Sequence, residues 1–257
     1  MLHTIWQNVI QEPFYNTLVF IVSHIPFHDV GLAVIALTIL VKLILFPLNQ
    51  KAIKSQIKLK SLEPEIRKIK ENYPDKQEQS KKTFELYKKY GANPFSGCLV
   101  ALIQIPILFG LYDIFLKGFY LNENLLYSFI NFPTNDPSII FLGLINITEP
   151  SWIFAILAGV SQYFQISISQ KNQTLNNPED KTPASKDKKT DFQTELTKSM
   201  ATQMKYFLPV FIAFVSWKIS AAVTLYWITS NIVGIIQEVL IARKMKKTGI
   251  KPELVTK

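Results

Sequence analysis

Cysteine and histidine are scarce in this 257-residue chain, and their scarcity limits the chemistry that it can carry. The single cysteine, Cys98, excludes an intrachain disulfide and a zinc site built from several cysteines. His24 and His28 lie four residues apart, but two ligands alone do not make a metal site. The phosphate-binding pattern G-x-x-x-x-G-K-[ST] is absent as well. We therefore expect no metal, no cofactor and no nucleotide hydrolysis by this chain.

Positive charge is missing from two long stretches, 1–29 and 118–151, although the chain carries a net charge of +9. Of its 28 Lys and Arg residues, 25 fall in three segments, 50–92, 171–205 and 243–257. A basic excess is typical of proteins that meet an anionic membrane surface, a ribosome or nucleic acid. The separation of charged from apolar residues along the chain excludes an ordinary soluble globular domain.

Long apolar runs occupy most of the remaining chain, and about twenty such residues suffice to cross a membrane. We therefore predict an all-α polytopic membrane protein with five transmembrane helices. The alternative, a soluble protein with buried helices, leaves too little polar surface to cover so many runs. The runs span 30–48, 95–116, 139–144 with its continuation 152–168, 206–217 and 219–242.

The distribution of Lys and Arg predicts the orientation of these spans. Two spans separate each basic segment from the next, so all three segments lie on one side, which the positive-inside rule makes the cytoplasm. The N-terminus is then outside and the C-terminus inside. The predicted segments are an outer-face amphipathic segment (1–29), transmembrane helix 1 (30–49), a cytoplasmic helical hairpin (50–92), transmembrane helix 2 (93–117), an outer segment (118–150), transmembrane helix 3 (151–170), a cytoplasmic loop (171–205) that is flexible over 172–190, transmembrane helix 4 (206–218), transmembrane helix 5 (219–242) and a basic cytoplasmic tail (243–257).

Two segments outside the spans have recognisable patterns. Residues 1–29 lack a basic start and a cleavage site, so we predict an amphipathic helix in the outer interface rather than a signal peptide; a disordered tail is the alternative. Residues 51–70 and 77–90 have apolar residues at helical spacing, with Pro64 poorly placed for one unbroken helix. A Tyr-Pro-Asp turn separates them and Gly91 follows the second, which predicts a helical hairpin.

Polar side chains inside the apolar runs indicate a functional site. Lys42 lies within the first run, where an unpaired charge is costly. Thr38 precedes it by one turn, and Gln104 and Gln162 lie within later runs. These residues predict a hydrated concavity that carries one positive charge. Two alternatives stay open: Lys42 extends to the cytoplasmic interface, or the amides and hydroxyls only join helices.

Three segments resemble the YidC/Oxa/Alb family of membrane-protein insertases. They read LTILVKLILFPLNQKA, LYKKYGANPFSGCLVALIQIPILFGLYDIF and TLYWITSNIVGIIQEVLI, and the order of spans and hairpin agrees. The resemblance covers almost the whole chain and implies five helices around a groove open to lipid and cytoplasm. It implies the short bacterial type, without a large outer domain. The implied function is to insert and help fold integral membrane proteins, alone or with a Sec translocon.

The resemblance also implies roles for individual residues. Lys42 stands where the family usually has Arg, Thr38 and Gln104 match its groove residues, and Tyr226 and Trp227 match its fifth-span aromatic pair. With Gln162, these are the predicted groove and substrate-contact residues. Before the aromatic pair, this chain has Ile-Ser-Ala where Pro-Ser-Gly is common in the family.

The basic tail predicts contacts on the cytoplasmic side. Its candidate contacts with ribosome or lipid are Arg243, Lys244, Lys246 and Lys247; positive-inside anchoring alone is the alternative. The implied partners are nascent membrane proteins and lipids, with the ribosome and a Sec translocon as further candidates and no DNA. The implied location is the bacterial inner membrane.

Two other function classes fit the residues less well. A small secondary transporter or channel is the alternative, but the chain has no internal repeat and only one deep charge. An enzyme needs catalytic groups, and the apolar runs contain no His and no pair of carboxylates. We therefore predict no catalytic residues.

The topology is testable with single cysteines in a Cys98→Ser background. We expect Ser80→Cys and Ser185→Cys to escape an impermeant maleimide added from outside, because both positions lie in basic segments. Ser128→Cys, in the outer segment, is the reactive control. Labelling of either cytoplasmic position in intact cells contradicts the predicted map.

Overall fold

The computed structural model describes residues 2–116, 125–131, 133, 136–174 and 192–247, and these are mostly α-helical. A π-helical turn (Gln7–Gln11) joins the first two helices, and a 3-10 turn (Pro26–His28) precedes the third. The helices are α1 (Leu2–Trp6), α2 (Glu12–His24), α3 (Val30–Ile44), α4 (Phe46–Ser61), α5 (Glu63–Asn72), α6 (Lys76–Lys89), α7 (Ser96–Leu116), α8 (Trp152–Thr174), α9 (Phe192–Ser216) and α10 (Ala221–Lys247). Strands β1 (Ile140–Phe141) and β2 (Ile145–Asn146) form an antiparallel hairpin.

Large apolar side chains cover the outward faces of four helices, an arrangement suited to lipid rather than water. In the described ranges, Trp152–Asn172 and Ala221–Met245 are each long and apolar enough to span a membrane, and α3 with α4 adds a bent third candidate. Leu102–Leu116 of α7 is a shorter apolar stretch. The exposed side chains include Leu102 and Phe109 of α7, Trp152, Ile156 and Phe164 of α8, Phe207, Val210 and Phe214 of α9, and Ile232, Ile236 and Leu240 of α10.

The first apolar run is not the single helix predicted for 30–49. Helix α3 ends at Ile44, and α4 leaves it at an angle of 63°. The break at Leu45 follows from Pro47 in the first turn of α4, because proline lacks the amide hydrogen that a continuous helix needs. The bend turns α4 across the bundle, where it packs against α7, α8 and α10 and buries Ile57 beside Ile241 and Met245.

Helices α8 to α10 extend beyond the predicted spans. Helix α8 reaches Thr174 and α9 begins at Phe192, so both ends of the cytoplasmic loop predicted for 171–205 are helical, and the rest of that loop lies outside the described residues. Helix α10 likewise runs to Lys247, into the predicted tail. The apolar residues of a helix indicate only the part that lies in the hydrocarbon of the membrane. The backbone hydrogen bonds continue into the polar residues beyond that part, so the helix is longer than the apolar run.

The main core lies where α2, α3, α7 and α10 meet. Residues 2–24 are helical, and Tyr15, Leu18 and Val22 of α2 are fully buried in this core. Trp6 Nε1 and Gln11 Nε2 both donate to one carboxylate oxygen of Asp113 on α7, at 3.1 and 2.9 Å. The N-terminal segment is thus an integral part of the described fold, unlike the disordered-tail alternative.

Part of the third apolar run forms a β-hairpin instead of a helix. Leu142 and Gly143 at its tip both have positive φ, the geometry of a tight hairpin turn. Phe141 of this hairpin packs against Gly31, where an added Cβ would lie 2.3 Å from the ring. The adjoining backbone accepts from Val30 N and Ala222 N, so it ties together the first turns of α3 and α10.

The Asp29 carboxylate joins the start of α3 to the β-hairpin. One carboxylate oxygen accepts from Gly31 N and Leu32 N at 2.7 and 3.1 Å and so caps α3. The other accepts from Leu142 N at 2.8 Å and so fixes the hairpin. Asp29 itself is buried, so its carboxylate relies on these three N–H groups for its hydrogen bonds.

We expect Asp29→Ala to lower the free energy of unfolding in detergent by about 2 kcal/mol or more, because three backbone donors lose their acceptor. Asp75→Ala is the matched control, since Asp75 is an exposed cap that accepts only from Gln77 N. Chemical denaturation followed by circular dichroism measures both. Equal losses in the two variants contradict the role given to Asp29.

The hairpin predicted for 50–92 divides at Leu62: its first part, in α4, packs against α7, α8 and α10, whereas the α5–α6 hairpin is nearly independent of the bundle. No side chain of either helix is buried, and both helices are described in full. We therefore expect its amides to exchange with deuterium faster than those of residues 99–109 in α7. Equal protection, measured by mass spectrometry, contradicts this and indicates a docked hairpin.

Candidate functional site

A partly open cavity of about 300 Å³ lies between α3, α4, α7, α8, α9 and α10. Half of its lining residues are polar, although the outer faces of these helices are apolar. Apolar residues such as Val100 of α7 and Leu208 of α9 complete the lining. The polar residues used below are Lys42, Asn49, Gln162, Gln165, Gln237 and Glu238.

Lys42 supplies the positive charge of this cavity. Its side chain is only 8% exposed, and its Nζ donates to Gln104 Oε1 at 3.3 Å. The Gln104 amide in turn donates to the Tyr226 hydroxyl. These two hydrogen bonds join α3, α7 and α10. The groups beyond the Lys42 ammonium, the Gln104 amide and the Tyr226 hydroxyl, are neutral. Gln104 therefore orients the ammonium without cancelling its charge.

Thr38 has a different position from the one predicted. It is fully buried one turn before Lys42, and its hydroxyl donates to the Val34 carbonyl at 2.6 Å. It is not among the described residues that line the cavity. A threonine hydroxyl commonly binds the carbonyl four residues earlier, so a position next to Lys42 along the helix does not bring it into the cavity.

Gln162 reaches the cavity from α8 and also binds α10. Its Oε1 accepts from Trp227 Nε1 at 2.9 Å and from Asn231 Nδ2 at 3.2 Å. Asn231 also donates to the Ser161 hydroxyl at 3.0 Å. Trp227 therefore supports the cavity wall through Gln162, while it is not among the described lining residues.

Gln237 and Asn49 were not predicted as site residues, yet they connect three of its helices. Gln237 Nε2 donates to the Lys42 carbonyl at 3.1 Å, and Asn49 Nδ2 donates to Gln237 Oε1 at 3.3 Å. The bonds fasten α10 to α3 and to α4 just beyond the bend. A sequence signal was available, because Gly234, Gln237 and Glu238 share one face of α10 at helical spacing.

The basic end of α10 lies away from the cavity lining. Arg243 and Lys244 are exposed on the last turns of that helix. The side chains of Lys246 and Lys247 lie outside the described part of the chain. Contact of these residues with ribosome or lipid stays a prediction.

Comparison with known proteins identifies the family. The family model described as "60Kd inner membrane protein" matches residues 21–248. The chain belongs to this family. The sequence resemblance to the YidC/Oxa/Alb insertases is thereby confirmed.

The curated relatives are named for insertase activity rather than for a chemical reaction. The membrane protein insertase YidC of Francisella philomiragia subsp. philomiragia is 32% identical over 222 residues, which are 86% of this chain and 34% of the relative. That of Francisella tularensis subsp. novicida is 31% identical over 244 residues, which are 93% of this chain and 37% of the relative. This chain thus spans about a third of the length of these relatives.

A solved structure has the same fold. It is described as an active YidC insertase crystal structure with the first transmembrane domain resolved. The TM-score is 0.53 at 25% identity, and the match covers 88% of this chain and 45% of the other. The similarity therefore includes most of the described helices.

Proposed function

We propose that this protein is a membrane-protein insertase that uses the polar cavity to move hydrophilic segments of its substrates into and across the membrane. One observation carries the proposal: a buried ammonium, held by a neutral amide, lines a polar cavity inside a bundle with apolar outer faces. A buried charge without a countercharge lowers the stability of a protein, so a helix bundle with a purely structural role gains nothing from this arrangement.

Five spans, α3, α7, α8, α9 and α10, are part of this proposal. Exposed apolar side chains on these helices support it, as does the gathering of Lys and Arg in 50–92, 171–205 and 243–257. The N-terminus is outside and the C-terminus is in the cytoplasm. In this proposal the outer end is closed and the cavity opens towards the cytoplasm; the backbone hydrogen bonds that join the first turns of α3 and α10 beside the β-hairpin support the closed outer end.

The mechanism follows from the cost of moving polar groups through hydrocarbon. A water-filled cavity shortens the dry part of the path, and Lys42 attracts acidic residues of the moving tail. The substrate's apolar helix enters the lipid at the same time. Burial of its apolar surface, at about 25 cal/mol per Å², supplies the driving free energy without nucleotide hydrolysis.

The substrate helix reaches the lipid between α7 and α9. Val100 of α7 and Leu208 of α9 are apolar residues of the cavity wall. In the described ranges α9 packs mainly against α8, and it makes few contacts with α7. Both helices carry exposed aromatic residues, such as Phe109 and Phe214, that suit an apolar partner.

The proposed partners follow from this geometry. They are nascent membrane proteins and membrane lipids of the bacterial inner membrane. Arg243 and Lys244, exposed at the cytoplasmic end of α10, are positioned for lipid phosphates or ribosomal RNA. A Sec translocon is a further candidate partner.

The role of Lys42 is testable in proteoliposomes with a single-span substrate whose outer tail is acidic. We expect Lys42→Ala to reduce protease protection of this tail, Lys42→Arg to retain it and Lys42→Glu to reduce it most, because the attraction depends on charge. A tail with its acidic residues neutralised should be much less affected. Lys218→Ala is the matched control, since Lys218 is exposed beside Trp217 and its loss changes the net charge equally.

Unchanged insertion of the acidic tail by Lys42→Ala, at equal protein levels, contradicts the electrostatic role. Proton flux in the same vesicles tests the transporter or channel alternative. An insertase needs no flux that depends on Lys42, whereas a proton pathway through the cavity does.

A further inference from the structure

Glu238 shares the cavity with Lys42, although 195 residues lie between them in the sequence. They are the only two charged residues among the described residues that line it. Glu238 is 7% exposed and Lys42 is 8% exposed, so both are largely buried in the cavity wall. The cavity therefore has an acidic as well as a basic side chain.

The two charges lie at different depths. Val30 N and Ala222 N bind neighbouring backbone carbonyls, those of Ser138 and Ile147, so α3 and α10 start at about the same level. Lys42 is then about 18 Å along α3 and Glu238 about 24 Å along α10, at 1.5 Å per residue. A segment that enters from the end remote from the β-hairpin meets Glu238 first and Lys42 next.

Neutral groups surround Glu238. The Ser169 hydroxyl of α8 bonds to its carboxylate. One turn earlier, Gly234 leaves room for the Gln165 amide, because an added Cβ would lie 2.9 Å from Gln165 Nε2. A hydroxyl carries no charge, so its hydrogen bond to the carboxylate supplies no countercharge.

We propose that Glu238 is a specificity residue that binds Lys or Arg side chains of the entering substrate tail. It also weakens the attraction of Lys42 for strongly acidic tails. The inference rests on the proposed insertase function and specifies its substrate class: tails that carry both signs of charge. A basic and an acidic residue about two positions apart in an extended tail span about 6 Å, which matches the difference in depth.

The test compares Glu238→Gln with the wild type on one single-span reporter bearing an acidic, a neutral or a basic tail. We expect Glu238→Gln to increase protease protection of the acidic tail and to decrease that of the basic tail. Each change should be about two- to fivefold, the size expected for one ion pair in a partly hydrated site. The neutral tail should not change. Glu238→Asp, which keeps the charge, should retain the wild-type order of the three tails.

A second measurement does not depend on insertion. Fluorescent peptides with the acidic and the basic tail sequences are titrated against the protein purified in detergent, and anisotropy gives their affinities. Glu238→Gln should lower the affinity for the basic peptide and raise that for the acidic one. A folding defect lowers both affinities together, so it is distinguishable from a loss of specificity.

A failure of the proposed insertase function and a failure of the specificity role of Glu238 give different results. If the wild type inserts no reporter above empty vesicles, the proposed insertase function is wrong, while the peptide affinities still decide the role of Glu238. If Glu238→Gln leaves the order of peptide affinities unchanged, or changes all three tails equally, the specificity role is overturned. Glu238 is then only a structural partner of Ser169.

Discussion

The placement of one ammonium inside an apolar helix bundle is the constraint on which the rest of this structure depends. Lys42 cannot stay charged in hydrocarbon without polar neighbours, and the bundle supplies Gln104 directly and Tyr226 behind it. Because both neighbours are neutral, they bind the ammonium without pairing it with an opposite charge. Lys42 also lines the polar cavity, so the same side chain belongs to the hydrogen-bonded bundle and to the cavity wall.

The two ends of the bundle are built differently. At one end, the Asp29 carboxylate joins the first turn of α3 to the β-hairpin, and the backbone beside the hairpin accepts from Val30 N and Ala222 N. At the other end, the bend at Leu45 turns α4 away from the axis of α3 and across α7, α8 and α10. Short backbone hydrogen bonds thus hold the first end, whereas side-chain packing and the polar cavity lie at the second.

The lipid-facing surface and the polar interior depend on each other. Exposed side chains such as Phe164 and Phe211 suit the bundle to the membrane, where its outer faces meet lipid rather than water. In that setting, amide contacts such as Gln162 with Trp227 fix the separation of α8 and α10. The apolar surface therefore lets a small set of neutral hydrogen bonds maintain an open polar space.

The sequence by itself determined that the chain is helical, apolar in long runs and asymmetric in charge, because these properties depend on composition and spacing alone. It also identified the family, and it singled out Lys42, Gln104 and Gln162. Helical periodicity states which residues share one face of a helix, but not which other helix that face meets. Only the tertiary structure could therefore exclude Thr38 from the cavity lining and bring Glu238 into the same cavity as Lys42. The β-hairpin was likewise decided by packing, since an apolar run as short as Ile139–Leu144 suits a strand or a helix until Asp29 and Gly31 provide its partners.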